Sequence, residues 1–169
     1  GYHFRLKNAI VRRNGVGGAE YFVNAGSTIQ QGFEGMVKAK LMARKTKGIK
    51  SLYLTSSFSY QPYRFETYRQ GNTVFDGNPL TGVPRYTWVT GLQLETVIGW
   101  YLHAAINATA AISLNDANDA RAQPYQLLQG RTGYRKKGFE LFLSMDNGLN
   151  QVYSLGNDIN AVGRRYYNA

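Results

Sequence analysis

Residues 101–115 read Tyr-Leu-His-Ala-Ala-Ile-Asn-Ala-Thr-Ala-Ala-Ile-Ser-Leu-Asn, and every even position from Leu102 to Leu114 is apolar. The odd positions, Tyr101, His103, Ala105, Asn107, Thr109, Ala111 and Ser113, are mostly small or polar. Side chains alternate faces along a strand, so this stretch predicts one β-strand with an apolar face and a wetter one. Its length is the more telling feature. Globular strands commonly run about 5–6 residues, whereas a tilted strand crossing a bilayer needs roughly 9–11.

The same period of two recurs along the chain. Tyr2, Phe4, Leu6 and Ile10 alternate with His3, Arg5 and Lys7, which predicts a first strand over residues 2–13. A second begins near Tyr21. Its lower half puts Phe33, Val37, Ala39 and Leu41 on one face and Glu34, Met36, Lys38 and Lys40 on the other. A third sets Leu52, Leu54, Phe58 and Tyr60 against Tyr53, Thr55, Ser57 and Ser59, and a fourth spans residues 85–96. After the opening stretch come a weakly patterned strand near residues 125–134 and a clean one over residues 139–147. Residues 147–169 read as a final loop. The chain is thus expected to be all-β, an antiparallel up-and-down meander of about seven long strands.

The connections alternate in length. Those near residues 14–18, 61–84, 115–124 and 147–169 are long or loose, while those near 44–50, 97–100 and 135–138 are short. In a meander, alternate connections emerge at opposite ends, so the long loops share one side. Outer-membrane barrels have this asymmetry, with short periplasmic turns and longer extracellular loops. Aromatic residues gather at both strand ends, Trp100 and Tyr101 at one, Phe58, Tyr60, Tyr86 and Trp88 at the other. Such bands match the interfacial girdles of a barrel.

Composition narrows the classes. The chain has 169 residues, is 43% hydrophobic, and contains no run near the ~20 apolar residues of a transmembrane helix. It has no cysteine, which removes disulfides and thiolate chemistry. The net charge of +10 invites a nucleic-acid reading. The positive residues, however, cluster at strand ends (Arg44, Lys45, Lys47 and Lys50; Arg135, Lys136 and Lys137; Arg164 and Arg165) rather than forming a stripe, so no nucleic-acid partner is expected.

Three phrases carry a family resemblance. Asn24-Ala25-Gly26-Ser27 is followed by Gln31-Gly32-Phe33-Glu34; Gly77-Asn78-Pro79-Leu80 runs on to Val83-Pro84-Arg85; and Asp146-Asn147-Gly148-Leu149-Asn150 leads to Tyr153. Their order and placement resemble the C-terminal barrel of TonB-dependent outer-membrane receptors across nearly the whole chain. The resemblance implies a segment of a barrel of about 22 strands, residues 1–169 being expected to form one partial barrel domain that includes neither the plug nor the closing strand. It also implies a Gram-negative outer membrane and contact with lipid, the plug and the remaining strands. TonB would act through the plug, and the nutrient would be a scarce one such as an iron–siderophore complex. A passive porin-type barrel and a secreted soluble β-sandwich binding module remain open as alternatives.

No bond chemistry and no cofactor are expected. His3 and His103 lie on different strands with no acidic pair beside them, so no metal site is expected. Glu34, Glu95 and Glu140 fall on wet faces as lumen charges. Gly15, Gly17 and Gly18 follow a strand but open no helix, so they form no phosphate loop. The candidate binding residues are Tyr63, Arg64, Phe65, Tyr68, Arg69 and Phe75, an aromatic and basic set in the longest loop. Loops of that length on a rigid scaffold commonly carry binding.

Overall fold

The computed structural model describes residues 1–8, 10–14, 20–24, 26–42, 48–155 and 165–168. The glycine loop at 15–19, most of the basic turn (43–47) and the stretch 156–164 lie outside the described residues. The elements are β1 (Tyr2–Lys7), β2 (Ile10–Asn14), β3 (Glu20–Asn24), β4 (Ser27–Met42), β5 (Ile49–Tyr60), β6 (Arg64–Thr67), β7 (Arg69–Gln70) and β8 (Thr73–Val74). Then follow β9 (Tyr86–Thr96), β10 (Trp100–Thr109), β11 (Ile112–Ser113), β12 (Arg121–Ala122), β13 (Tyr125–Lys136), β14 (Phe139–Asp146) and β15 (Arg165–Asn168). Among the described residues there is no helix.

One antiparallel sheet organises the chain in the order β1-β4-β5-β9-β10-β13-β14-β15, with β6 added to β4. It is an open path, since β1 and β15 lie at opposite ends and do not pair. The expected meander is therefore present, with corrections. The first long strand divides into β1 and β2 at Asn8, whose φ is 55°, and the second divides into β3 and β4 at Gly26, with φ of 63°. Lys7 pairs with Ser27, so the two breaks face each other and the β2–β3 hairpin leaves the main ladder there. The opening stretch also shortens. β10 ends at Thr109 because its partners end there, opposite Thr87 of β9 and Tyr125 of β13. Ile112–Ser113 then pairs with β12 in a hairpin of its own. Ten residues still meet the length for a bilayer crossing. The expected final loop holds β15, which covers β14 from Leu143 to Asp146, so β14 is not an edge over that part.

Register sorts the side chains into two faces. Leu54, Leu92 and Ala104 stand in one cross-strand row, and Leu52, Leu94, Leu102, Thr132 and Leu143 in the next. The opposite face carries Tyr53 with Gln93 and His103, and Glu95 with Tyr101. Among the described residues the apolar face has no second layer over it. Val37 is 62 % exposed and Leu141 56 %, with Phe33, Trp88, Leu102 and Leu143 exposed as well. A β-sandwich would bury this face against a second sheet about 10 Å away. A barrel gives it to lipid.

Aromatic rings mark the ends of the apolar face. Phe33 meets Phe58 at 5.5 Å and Tyr60 at 5.9 Å, and Tyr86 stacks on Phe58 at 6.3 Å. At the short-turn end, Trp100 meets Tyr134 at 5.5 Å. Along β10 these levels are about 26 Å apart at roughly 3.3 Å per residue. Tyr101 is not part of the lower band. It belongs to the polar face and is 7 % exposed.

Candidate functional site

The loop at 61–84 is a folded unit. β6 extends the sheet, pairing Arg64 with Ile29, Phe65 with Thr28 and Thr67 with Ser27. The β7–β8 hairpin turns at Gly71, and Phe75 N–H donates to the Tyr68 carbonyl at 2.9 Å. Asp76 caps the Tyr68 N–H at 2.8 Å, while Gly77 N–H returns to the Phe65 carbonyl. These bonds bring Phe65, Tyr68 and Phe75 together with Leu80 at their side. Ring centroids lie 4.8 Å apart for Phe65 and Tyr68 and 5.2 Å for Tyr68 and Phe75. Phe65 is 2 % exposed.

Of the six candidate residues, then, Phe65, Tyr68 and Phe75 form the loop's interior and turn their rings on one another. Tyr63, Arg64 and Arg69 remain at its surface. Alternation separates two of these. Arg64 lies opposite Ile29, in the β4 row that continues through Gln31 to Phe33 on the apolar side. Tyr63 turns the other way. Its hydroxyl meets the Tyr2 hydroxyl at 2.8 Å, with the rings edge-on at 6.2 Å. Tyr2 is registered with Gly32, in the row of Glu34, and its ring occupies the space a Cβ on Gly32 would need. Phe4 stands beside it at 5.8 Å. The result is an aromatic wall of Tyr2, Phe4 and Tyr63 on the polar side of the sheet, at the long-loop end. The bond to Tyr63 pushes the Tyr2 phenol up to about 12. On the other side, Arg5 holds the Glu66 carboxyl below its ordinary range through a 2.6 Å contact.

The polar face also holds a cluster at the short-turn end that the sequence alone did not reveal. Tyr101 O–H donates to Glu140 at 2.7 Å, Arg135 donates twice to the same carboxylate at 3.2 and 3.0 Å, and Arg131 bonds it at 3.2 Å. The Arg131 guanidinium rests 3.7 Å above the Phe142 ring, and Lys50 pairs with Glu95 at 2.9 Å. Tyr101 reaches Glu140 by lying across Gly133. A Cβ there would sit 2.6 Å from the Tyr101 hydroxyl and 2.6 Å from the Leu141 carbonyl. Gly133→Ala is therefore expected to destabilise the sheet by about 1–3 kcal/mol. A bilayer unfolding titration of the full-length protein reads this as a lower midpoint, and an unchanged midpoint contradicts it.

Among the described residues, no three His, Cys, Asp or Glu side chains come together to hold a metal ion. His3 bonds Gln31 at 3.1 Å, and His103 lies against the Tyr101 ring.

Comparison with known proteins follows the same lines. The chain resembles in structure the siderophore receptor PiuA from Acinetobacter baumannii, with a TM-score of 0.74 at 13% identity over 97% of this chain and 24% of that one. The ferric yersiniabactin uptake receptor FyuA from Yersinia pestis gives 0.69 at 16% identity, over 98% of this chain and 24% of the other. BauA, the ferric preacinetobactin receptor from Acinetobacter baumannii, gives 0.66 at 17%, over 97% and 25%. The chain spans about a quarter of the length of each. At such identities the likeness establishes the fold, an all-β meander shared with receptor barrels. A family model described as TonB dependent receptor-like, beta-barrel matches residues 1–147. The chain belongs to the TonB-dependent receptor β-barrel family, whose members are receptors and transporters rather than enzymes.

Proposed function

We propose that this chain is a wall segment of an outer-membrane, TonB-dependent transporter that imports a scarce nutrient such as an iron–siderophore complex. The observation that carries this reading is the two-faced sheet: an uncovered apolar face bounded by aromatic bands, backed by a face of ion pairs and hydroxyls. Family membership supports the location, because barrels of this family are outer-membrane proteins. In this reading the apolar face meets lipid and the polar face lines the lumen, where the Glu140 cluster holds the wall rigid and offers hydrogen bonds to a plug. The plug belongs to another part of the protein, and TonB acts through it. The transporter performs no bond chemistry.

The ligand is met at the long-loop end. Tyr63 and Tyr2 supply ring faces and hydroxyls, and Arg69 supplies a cation on the exposed hairpin, a combination suited to a planar or anionic chelate. Phe65, Tyr68 and Phe75 act as the scaffold that holds these groups in place.

Uptake by the full-length receptor tests the assignment. A Tyr63→Ala/Arg69→Gln variant is expected to bind its ferric chelate roughly tenfold more weakly, the equivalent of about 1.4 kcal/mol, while assembling normally. Normal assembly with unchanged ferric-chelate binding would remove the loop from the ligand site. A full-length protein without a plug would point instead to a passive porin.

A further inference from the structure

Beside the loop at 61–84 lies a cleft of about 470 Å³, with Tyr63 at its edge. Arg64, Arg85 and Arg121 line it, from three separate segments, together with Tyr86 and Ser113. Two of the three arginines are tied to the apolar face. Arg64 stands in the row of Ile29 and Phe33. Arg85 lies over the Tyr60 ring, 5.6 Å from its centroid, and donates to the Tyr60 hydroxyl at 3.0 and 3.2 Å. Tyr60 and Tyr86 pair across β5 and β9 and belong to the upper aromatic band. The cleft therefore opens immediately above that band, on the outward side of the wall. Arg121 reaches it from β12, opposite Ser113.

Among the described residues none of these three arginines forms an ion pair. Three arginines line one cleft whose lining holds no carboxylate, and an anion bound there balances their charge. Guanidinium forks match a phosphate's oxygens two at a time. At the level of an aromatic band, where rings sit among lipid headgroups, the anion within reach is a headgroup phosphate.

We propose that this cleft is a binding site for the phosphate of an outer-leaflet lipid headgroup, held by Arg64, Arg85 and Arg121. The site rests on the membrane reading above; Tyr63 borders it, so the cleft adjoins the ligand-facing side of the loop while Arg64, Arg85 and Arg121 hold the phosphate. It anchors the loop's outer side to the membrane surface while the inner side stays free for the nutrient.

The test uses the full-length receptor in nanodiscs of phosphatidylcholine doped with phosphatidic acid, with retained lipids counted by native mass spectrometry. The wild-type protein is expected to retain phosphatidic acid in preference to phosphatidylcholine. Arg64→Gln/Arg85→Gln/Arg121→Gln together should lower that preference roughly a hundredfold, given the attraction of each basic residue to an anionic surface. Arg85→Lys, which keeps the charge but loses the fork, should fall between. Equal retention of the two lipids by the wild type overturns the proposal without reference to any variant. So does an unchanged preference in the triple variant. Displacement of phosphatidic acid by equimolar inorganic phosphate would assign the cleft to a soluble anion and overturn the lipid assignment. Location is read separately: a receptor that fractionates with the outer membrane yet shows no preference loses only this site.

Discussion

Arginine at Ala104 is expected to cost about 2–4 kcal/mol of barrel stability, and arginine at the next residue, Ala105, much less. The pair isolates the environment from the substitution, because both are alanines at one depth on one strand. Ala104 is registered with Leu92 and Gly130, and Leu92 with Leu54, so it lies in the apolar row. Ala105 is registered with Gly91 and Gln129 on the polar face, where the glycine leaves room for a longer side chain. Both lie midway between the band at Trp100 and the band at Trp88. From the apolar side a guanidinium must travel about half the hydrocarbon thickness to water, or draw water in. From the polar side it enters the lumen directly. A urea titration of the full-length receptor in phosphatidylcholine bilayers measures both variants. Equal costs would mean that the two faces see the same solvent, and the membrane assignment would fall.

That choice of residue depends on register, which the sequence does not contain. Alternation identified the faces correctly for β5, β9, β10 and β14, because a period of two is visible whenever one side is apolar. It placed the centre of the long stretch near Ala108, since the apolar pattern runs on to Leu114. In the structure Ala108 stands opposite Trp88, at the upper band, because the ladder partners end at Thr87 and Tyr125. Parity places Tyr101 on the wetter face, and it is the grouping of Tyr101 with Trp100 in one aromatic band that fails. Its neighbour Trp100 faces outward, so Tyr101 faces in, where it crosses Gly133 to reach Glu140. A tyrosine lying over a glycine leaves no trace in a linear sequence, since the two are 32 positions apart and meet only through the β10–β13 pairing. The four residues of β15 were too short to show a period at all.

The two breaks at Asn8 and Gly26 were half legible. A glycine inside a long strand pattern signals a bend, and Gly26 makes one with a positive φ. What could not be read is that Asn8 bends at the same level of the partner strand, ending the pairing there. Both residue types tolerate the left-handed region, and a break shared by both strands turns one long hairpin into two.

The loop shows the sharpest contrast between reading and structure. Its aromatic residues were grouped with its arginines as ligand contacts, because an aromatic in a loop has the same sequence signature whether it faces water or another ring. Spacing gave no help, since Phe65, Tyr68 and Phe75 follow neither a helical nor a strand period. Backbone bonds decide the matter: Tyr68 receives from Phe75 N–H, and Phe65 from Gly77 N–H, which folds the hairpin back over β6.

Phe65→Ala is accordingly expected to cost about 3–5 kcal/mol, the range for removing a buried phenylalanine. The loss should be local. Phe65 packs on Tyr68, Phe75 and Leu80, all within the loop, and none of these belongs to the long strands of the main sheet. The variant should therefore assemble as a barrel with the wild-type midpoint, while the segment from Arg69 to Val74 becomes open to protease and to amide exchange. Ferric-chelate binding should weaken with it, because Tyr63 and Arg69 lose the support that sets their positions. Limited proteolysis of the full-length receptor in nanodiscs separates the cases. Cleavage between Arg69 and Val74 in the variant alone, with the barrel intact, is the expected result. A loop equally resistant in both proteins would show that Phe65 is dispensable and that the loop is held by its backbone pairing with β4 and by the side-chain bonds of Asn78 and Thr81 to Asp116. A barrel that fails to assemble would show that this small interior is part of the wall itself.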